Sequence, residues 1–275
     1  MNKRDGNVVQ FFQFTDELIF FDNIPISLLH PGVRRCKMKN LIAIFLVIIA
    51  ALLIYSATPC CPLAQAQDMV FAMDKHHCES VTTNINSFSE LRNCAEGKGW
   101  TVKFIDVEPI TRKYLQNQGV SVLCIQYVKL PYTEDEISEI VSFVENGGGL
   151  FIQADNPSKY YTKEILRKFG VKVTHESVEK DLTVTVSSDH PLLKDVQAVY
   201  LSAGYDWQRT LFLMVEPPAT AIISAAETLP YKPVIAAAAV GRGRVVVYPN
   251  GFFTVLKMAD NIYFMRNSLY WLERK

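Results

Sequence analysis

"LPYTEDEISEIVSFVENGGGLFIQAD" spans residues 130–155, and its reading decides the fold. Thr133, with Glu136 three positions on, makes a capping box: each side chain bonds a backbone N–H near the other, which starts a helix. Ile137, Ile140, Val141 and Val144 then fall at i, i+3, i+4 and i+7, one apolar face of a helix. Gly147 ends it, because glycine enters the left-handed conformation past a helix terminus without a steric penalty. "GGLFIQAD" resumes as a short, continuously apolar strand. A strand apolar on both faces belongs in a parallel sheet with helices on either side.

Working outward, the same alternation continues. Upstream lie a strand at 70–73, a helix near 88–98, a strand at 101–105 and a buried strand, "VSVLCIQYV", at 120–128. Downstream, a helix at 162–169 is stopped by Gly170. The second half is richer in strands, expected at 171–174, 198–201, 220–224, 234–240 and 244–248. The last two are joined by "GRGR", which reads as a hairpin turn. A phosphate-cradling glycine loop leads from a strand into a helix, and this one leads into another strand. A helix at 260–272 closes the chain, with Ile262, Met265, Leu269 and Leu272 on its inner face. No linker divides the region, so residues 67–275 read as one α/β domain.

The chain has 275 residues and zero formal charge. Neutrality excludes a dedicated nucleic-acid binder, which needs a basic excess to displace phosphate counterions. Residues 41–57, "LIAIFLVIIAALLIYSA", are apolar without a charge. They follow Arg34, Arg35, Lys37 and Lys39 and precede the small-x-small site Ala64-Gln65-Ala66. Residues 38–66 are thus a signal peptide or, if uncleaved, a membrane anchor, with the folded domain outside the cytoplasm. Residues 1–37 are a short cytoplasmic tail, or lie ahead of a true start at Met38. Beyond Ala66 the cysteines are Cys78, Cys94 and Cys124, without CxxC spacing. Cys78 and Cys94 are the pair available for a bridge in an oxidising compartment. Cys124 lies in an apolar strand and reads as a core residue.

The series "VFAMDKHHCES", "SFSELRNCAEGKGWTVKFID", the helix-to-strand stretch above, "HPLLKDV" and "GRGRVVVYPN" through "DNIYFMRNSLYWL" resembles the class I glutamine amidotransferase-like superfamily. The nearest branch is an exported or membrane-linked one, related to auxiliary domains of gliding and ABC-transport systems. The resemblance implies a mostly parallel, flavodoxin- or amidotransferase-like three-layer sandwich with a strand-rich C-terminal half. Catalytic members of the superfamily place a cysteine on the sharp turn after the strand matching "GLFIQ". Here that turn reads Ala154-Asp155-Asn156-Pro157, with neither Cys nor Ser. A glutaminase needs that thiolate to attack the amide carbonyl, so the resemblance implies the fold without the reaction.

"VFAMDKHHCES" places Asp74, His77, Cys78 and Glu79 in the loop leaving the first strand, at the edge where open α/β sheets bind ligands. The related pattern is an Asp, a His three residues on, a Gly and a polar or acidic residue. Asp74, His77 and Glu79 match it, with Cys78 in the glycine place. Three readings compete: a metal on Asp74, His77 and Glu79, a Cys78–His77 nucleophile pair, or a loop braced by its own hydrogen bonds. Metal binding wants further ligands, and nothing in the sequence brings His175 or His190 near. Neighbouring side chains in extended chain point apart, which disfavours the Cys–His pair. The braced loop leads.

The candidate ligand-binding residues are thus Asp74, His77, Glu79 and Asp155, with no catalytic residue and no cofactor expected. The expected function is an exported, non-catalytic binding or interaction domain, accessory to an envelope or transport system. Its partner is a small molecule or carbohydrate, which Tyr205-Asp206-Trp207-Gln208 could stack against, or an envelope protein. The alternative is a hydrolase using the carboxyl-edge Asp, His and Glu residues, with or without a metal.

Overall fold

The computed structural model describes residues 69–78, 85–186, 188–204, 209–225 and 231–273. All belong to one compact unit, Gln67–Lys275. The leader at 38–66, the preceding segment 1–37, Glu79 and residues 205–208 lie outside the described residues. No helix among the described residues is long and apolar enough to cross a membrane.

The elements run β1 (Val70–Asp74), α1 (Ile85–Glu96), β2 (Thr101–Ile105), α2 (Arg112–Asn117), β3 (Val120–Ile125), α3 (Glu134–Glu145), β4 (Gly149–Ala154) and α4 (Lys163–Lys168). They continue as β5 (Val171–Ser177), β6 (Leu182–Thr185), β7 (Ala198–Leu201), β8 (Leu211–Val215), β9 (Ala219–Ala225), β10 (Lys232–Val240), β11 (Gly243–Pro249) and α5 (Asn261–Glu273). A seven-stranded sheet takes the order β2-β1-β3-β4-β11-β10-β9. The pairs from β2 through β11 are parallel, and β10 and β9 join antiparallel. β1 and β4 are buried along their whole lengths, as parallel strands between two helical layers must be. Contacts between α1 and α5 define one layer, and α2, α3 and α4 form the other. The architecture is the expected mostly parallel α/β sandwich with a strand-rich C-terminal half.

The opening stretch folds as its pattern requires. Thr133 accepts from the Glu136 N–H while the Glu136 carboxylate accepts from the Thr133 N–H, so the capping box is complete. Ile137, Ile140 and Val144 are buried, with Phe143 beside them. Gly147 takes φ +106°, in the left-handed region that favours glycine. A Cβ on Gly243 would lie 1.9 Å from the Val144 carbonyl oxygen, and one on Gly148 would enter the Phe143 ring. The Arg242 N–H bonds the Glu145 carbonyl at 2.9 Å, tying that turn to the end of α3. Gly241 and Gly243 of "GRGR" thus sit against the backbone of Glu145, Val144 and Gly148 at the end of α3.

The chain between β4 and β9 leaves the main sheet to form two antiparallel ribbons, β5–β8 and β6–β7. Polar residues at the start of α5 anchor the second: Asp260 accepts from the Gln197 and Ala198 N–H groups, and Asn261 bonds both the N–H and the carbonyl of Tyr200. Sequence patterning missed α2, β6 and β8. α2 and β6 are short, and the ribbon strand β6 alternates half-buried and exposed positions without a strong apolar signature. The expected strand at 120–128 ends at Ile125, because Tyr127 turns the chain with φ +48°.

Cys78, Cys94 and Cys124 are free thiols, which corrects the expected Cys78–Cys94 bridge. Cys94 sits in the last turn of α1 near Arg266, whereas Cys78 lies past the end of β1 beside Asp74 and Cys124. Cys124 is buried in the core, as its strand implied.

Candidate functional site

The carboxyl ends of β1, β3, β4 and β11 carry a concentration of buried polar side chains. Asp74 is the last residue of β1, and His77 follows in the turn; both are buried. Asp74 Oδ1 accepts the His77 backbone N–H at 3.2 Å, and Oδ2 lies 2.9 Å from His77 Nδ1. Tyr132, in the loop before α3, donates its hydroxyl to the same Oδ2 and stacks its ring on His77, centroids 3.9 Å apart. His77 Nε2 faces Glu136 Oε1 at 3.5 Å. The imidazole is thus held between two carboxylates and against a phenol.

Glu136 does three tasks at once. It closes the capping box, accepts the Ile110 N–H at 2.9 Å, and meets His77. Burial alone would push its carboxyl up, but bonds from Thr133 and Ile110 overcome this and hold it below the usual carboxylate range. The Tyr132 hydroxyl is driven well above its ordinary value by burial and then by the Asp74 charge.

Asp155 belongs to a second group. It follows β4, is buried, and its Oδ2 accepts the Tyr127 N–H at 2.8 Å, with the Val128 N–H also directed at the carboxylate. Its Oδ1 meets Gln153 Nε2 at 2.5 Å, and the same nitrogen reaches Asn250 Oδ1 at 2.8 Å. Gln153 pairs in register with Tyr248 of β11, whose hydroxyl lies 3.3 Å from Gln126 Oε1. Tyr248 stacks on Phe151 and packs toward Phe252, which meets Phe264 of α5. Gln126 Nε2, Gln153 Oε1, Asn250 Nδ2 and Thr162 Oγ1 are buried without a hydrogen-bond partner among the described residues. Burial raises Asp155 to about 8, against the bonds from Gln153, Tyr127 and Val128 that favour its ionised form.

Cys78 lies between the groups. Burial, then the Asp74 charge and more weakly that of Asp155, pushes its thiol well above the ordinary range, opposed by the Gln126 backbone N–H. A thiol so placed is not a thiolate nucleophile. His77, its chain neighbour, has both ring nitrogens directed at carboxylates.

The structure therefore joins Asp74 to His77, sets Asp155 in a separate hydrogen-bonded row, and leaves Glu79 outside the described residues. Among the described residues no group of three His, Cys, Asp or Glu side chains is arranged to hold a metal ion. His190 caps a 3-10 turn through its Nδ1, and His175 lines a cavity beside β5. Sequence reading missed Tyr132, Gln126, Gln153, Tyr248 and Asn250, and saw Glu136 only as a cap. One signal was available: Gln126, Gln153 and Tyr248-Pro249-Asn250 each interrupt or close an apolar strand, and register brings these ends together.

The strained backbone at this edge is at Tyr127, after β3, while Asp155 is not among the residues of positive φ. The turn after β4 lacks both the cysteine and the strain that would thrust a nucleophile outward.

No protein-family model matches the chain, and no curated protein matches it in sequence. Several solved structures are similar in fold. The mmIFT52 N-terminal domain is 18% identical with a TM-score of 0.62, over 74% of this chain and 96% of that one. A cytoplasmic protein from Salmonella typhimurium is 14% identical with a TM-score of 0.53, over 76% of this chain and 100% of its own. A ThuA-like protein from Bacteroides uniformis is 12% identical with a TM-score of 0.53, over 75% and 91%. ThuA-like proteins belong to the glutamine amidotransferase-like superfamily. At these identities the likeness concerns fold and not reaction: the chain shares an α/β fold with these structures, a ThuA-like protein among them.

Proposed function

We propose that this chain is a non-catalytic binding or interaction domain of amidotransferase-like fold, exported or membrane-anchored, and accessory to an envelope or transport system. The observation that carries the first part is the state of Asp155. It occupies the turn where the superfamily's catalytic members hold a cysteine, yet it is buried and both its oxygens accept bonds from the protein's own groups. A general base or nucleophile must reach the substrate, and Asp155 braces the turn after β3 instead. Asp74 and His77 are engaged likewise by Tyr132 and Glu136, which weighs against the hydrolase reading. Support for export is the charge-flanked apolar segment at 41–57 and the small-x-small site after it.

The test is an ammonia-release assay with glutamine, run beside generic ester and amide substrates on purified protein. No turnover above background is expected, and Cys78→Ser and Cys124→Ser should change nothing. Turnover that disappears in Cys78→Ser or Asp155→Asn would overturn the reading. For export, fractionation of native cells should place residues 69–273 outside the cytoplasm, and cytoplasmic recovery would refute that part.

A further inference from the structure

One cavity near the sheet's carboxyl edge belongs to neither polar group above. It opens beside the turn after β4, with a volume of about 520 Å³, between Pro157, Lys163 and Arg167 of α4, Lys172 to His175 of β5, and Met214 of β8. Its charged lining is basic: Lys163, Arg167 and Lys172, with His175 as a further donor. The carboxylate bonded to this set is Glu164, which lies 3.0 Å from Arg167 and 3.7 Å from Lys163. Lys172 and His175 have no ion pair among the described residues. Three fixed positive charges share one negative charge, so the groove carries a net charge of two, and like charges gathered in one concavity attract an anion.

We propose that this cavity binds a small phosphorylated organic molecule. A phosphate monoester carries about −1.5 to −2 charge near neutral pH and several strong acceptor oxygens, matching the excess. Arg167 offers the planar fork that grips such oxygens in pairs, and Lys172 supplies a point charge from the facing strand. The volume exceeds what a bare phosphate fills and falls in the range of small-molecule pockets. Besides Thr174, the remainder is apolar: Pro157, Val173 and Met214 form the wall against which the organic part lies. Met214, opposite Lys172 in the β5–β8 register, is 49% exposed, a large apolar side chain left open at the groove's rim. The proposal goes beyond the reading of a non-catalytic domain by naming a site and a ligand class, and its test does not depend on whether the protein turns anything over.

Calorimetric titration of the full-length protein with phenyl phosphate, inorganic phosphate and phenol separates the contributions. Phenyl phosphate should bind more tightly than inorganic phosphate, and phenol should give no signal. Arg167→Gln and Lys172→Gln, each made singly on the exposed surface, should each weaken phenyl phosphate roughly tenfold, the loss expected for one charge-assisted contact. Met214→Gln should weaken phenyl phosphate while leaving inorganic phosphate unchanged. Lys113→Gln, the same charge change on α2, should alter neither. Absence of phenyl phosphate binding at millimolar concentration overturns the proposal. So does binding that survives both cavity variants, or that falls equally in Lys113→Gln. Glutamine turnover found alongside intact phosphate binding would refute the non-catalytic reading and leave this site standing.

Discussion

At the scale of single residues, Asp155 shows how a position can be legible and its meaning hidden. The sequence places an Asp on the turn after β4, but its partners come from the turn after β3 and from Gln153, and only register brings them together. The physical consequence is testable. Its carboxyl rises from an ordinary 3.8 to about 8 in the folded protein. The folded state therefore binds more protons than the unfolded state across that window. Stability from this group is fully present below the unfolded value and is lost as pH rises through the folded one, at up to about 1.4 kcal/mol per unit. Asp155→Asn should flatten this component: the Asn oxygen can keep the Tyr127 N–H, and a turned Gln153 amide can offer its unpartnered Oε1 to the Asn nitrogen. Urea midpoints of wild type and variant should converge near pH 4 and separate toward pH 8 in the variant's favour. A wild type that gains stability relative to the variant over that range would contradict the burial argument.

The same scale carries the Asp74–His77 pair. Sequence reading favoured a loop braced by its own bonds, and the structure adds Tyr132 and Glu136 as the groups that do the bracing. Removing both side chains strands the Tyr132 hydroxyl and one face of Glu136, so Asp74→Ala with His77→Ala should cost more than the ~1 kcal/mol of an ordinary lost hydrogen bond. Tyr132→Phe alone should cost less than the double change. Thermal denaturation ranks the two, and a reversed order would mean that Tyr132, not the loop pair, is the keystone.

At the scale of elements, α3 was the most legible part of the chain because three independent signals agree on it: a complete cap, an apolar face and a glycine stop. What patterning could not see is why three glycines follow. Gly147 takes φ +106°, a Cβ on Gly148 would strike the Phe143 ring, and one on Gly149 would crowd Val122 and Leu272; about a hundred residues downstream, Gly243 in turn brings the β10–β11 turn onto the end of α3. Gly243→Ala would place a methyl group 1.9 Å from the Val144 carbonyl oxygen, a backbone contact that no side-chain rotation relieves. It should destabilise by several kcal/mol, on the order of a severe overpacking change or more. Thr133→Ala should cost about 1 kcal/mol, the usual loss of an N-cap. Denaturant midpoints compare them, and a mild Gly243→Ala would show that the hairpin can lift from α3 without consequence. The ribbon strands were illegible for the opposite reason. β6 alternates weakly, and its place depends on β7, which is itself pinned by Asp260 and Asn261 from the far end of the chain.

At the scale of the whole molecule, the question is whether 67–275 is a folding unit by itself. The buried strands β1, β3, β4, β10 and β11 and the inner faces of α3 and α5 all lie beyond residue 66, so the apolar material of the core is present without the segment at 41–57. A chain beginning at Gln67 should be soluble and unfold in one cooperative step, as single cores of this size commonly do. Its three thiols give a second readout. Cys78, Cys94 and Cys124 are buried and each has its thiol pushed upward, chiefly by burial. A thiol reagent should thus react slowly with all three in the native protein and at once in denaturant, because the thiolate is the reactive species. Cys78 and Cys124 should react only with global unfolding, whereas Cys94, the least enclosed of the three, should yield first through local opening. If this chain is molten, or if all three thiols react at once without denaturant, the core is not closed by these residues and the earlier segment takes part in the fold.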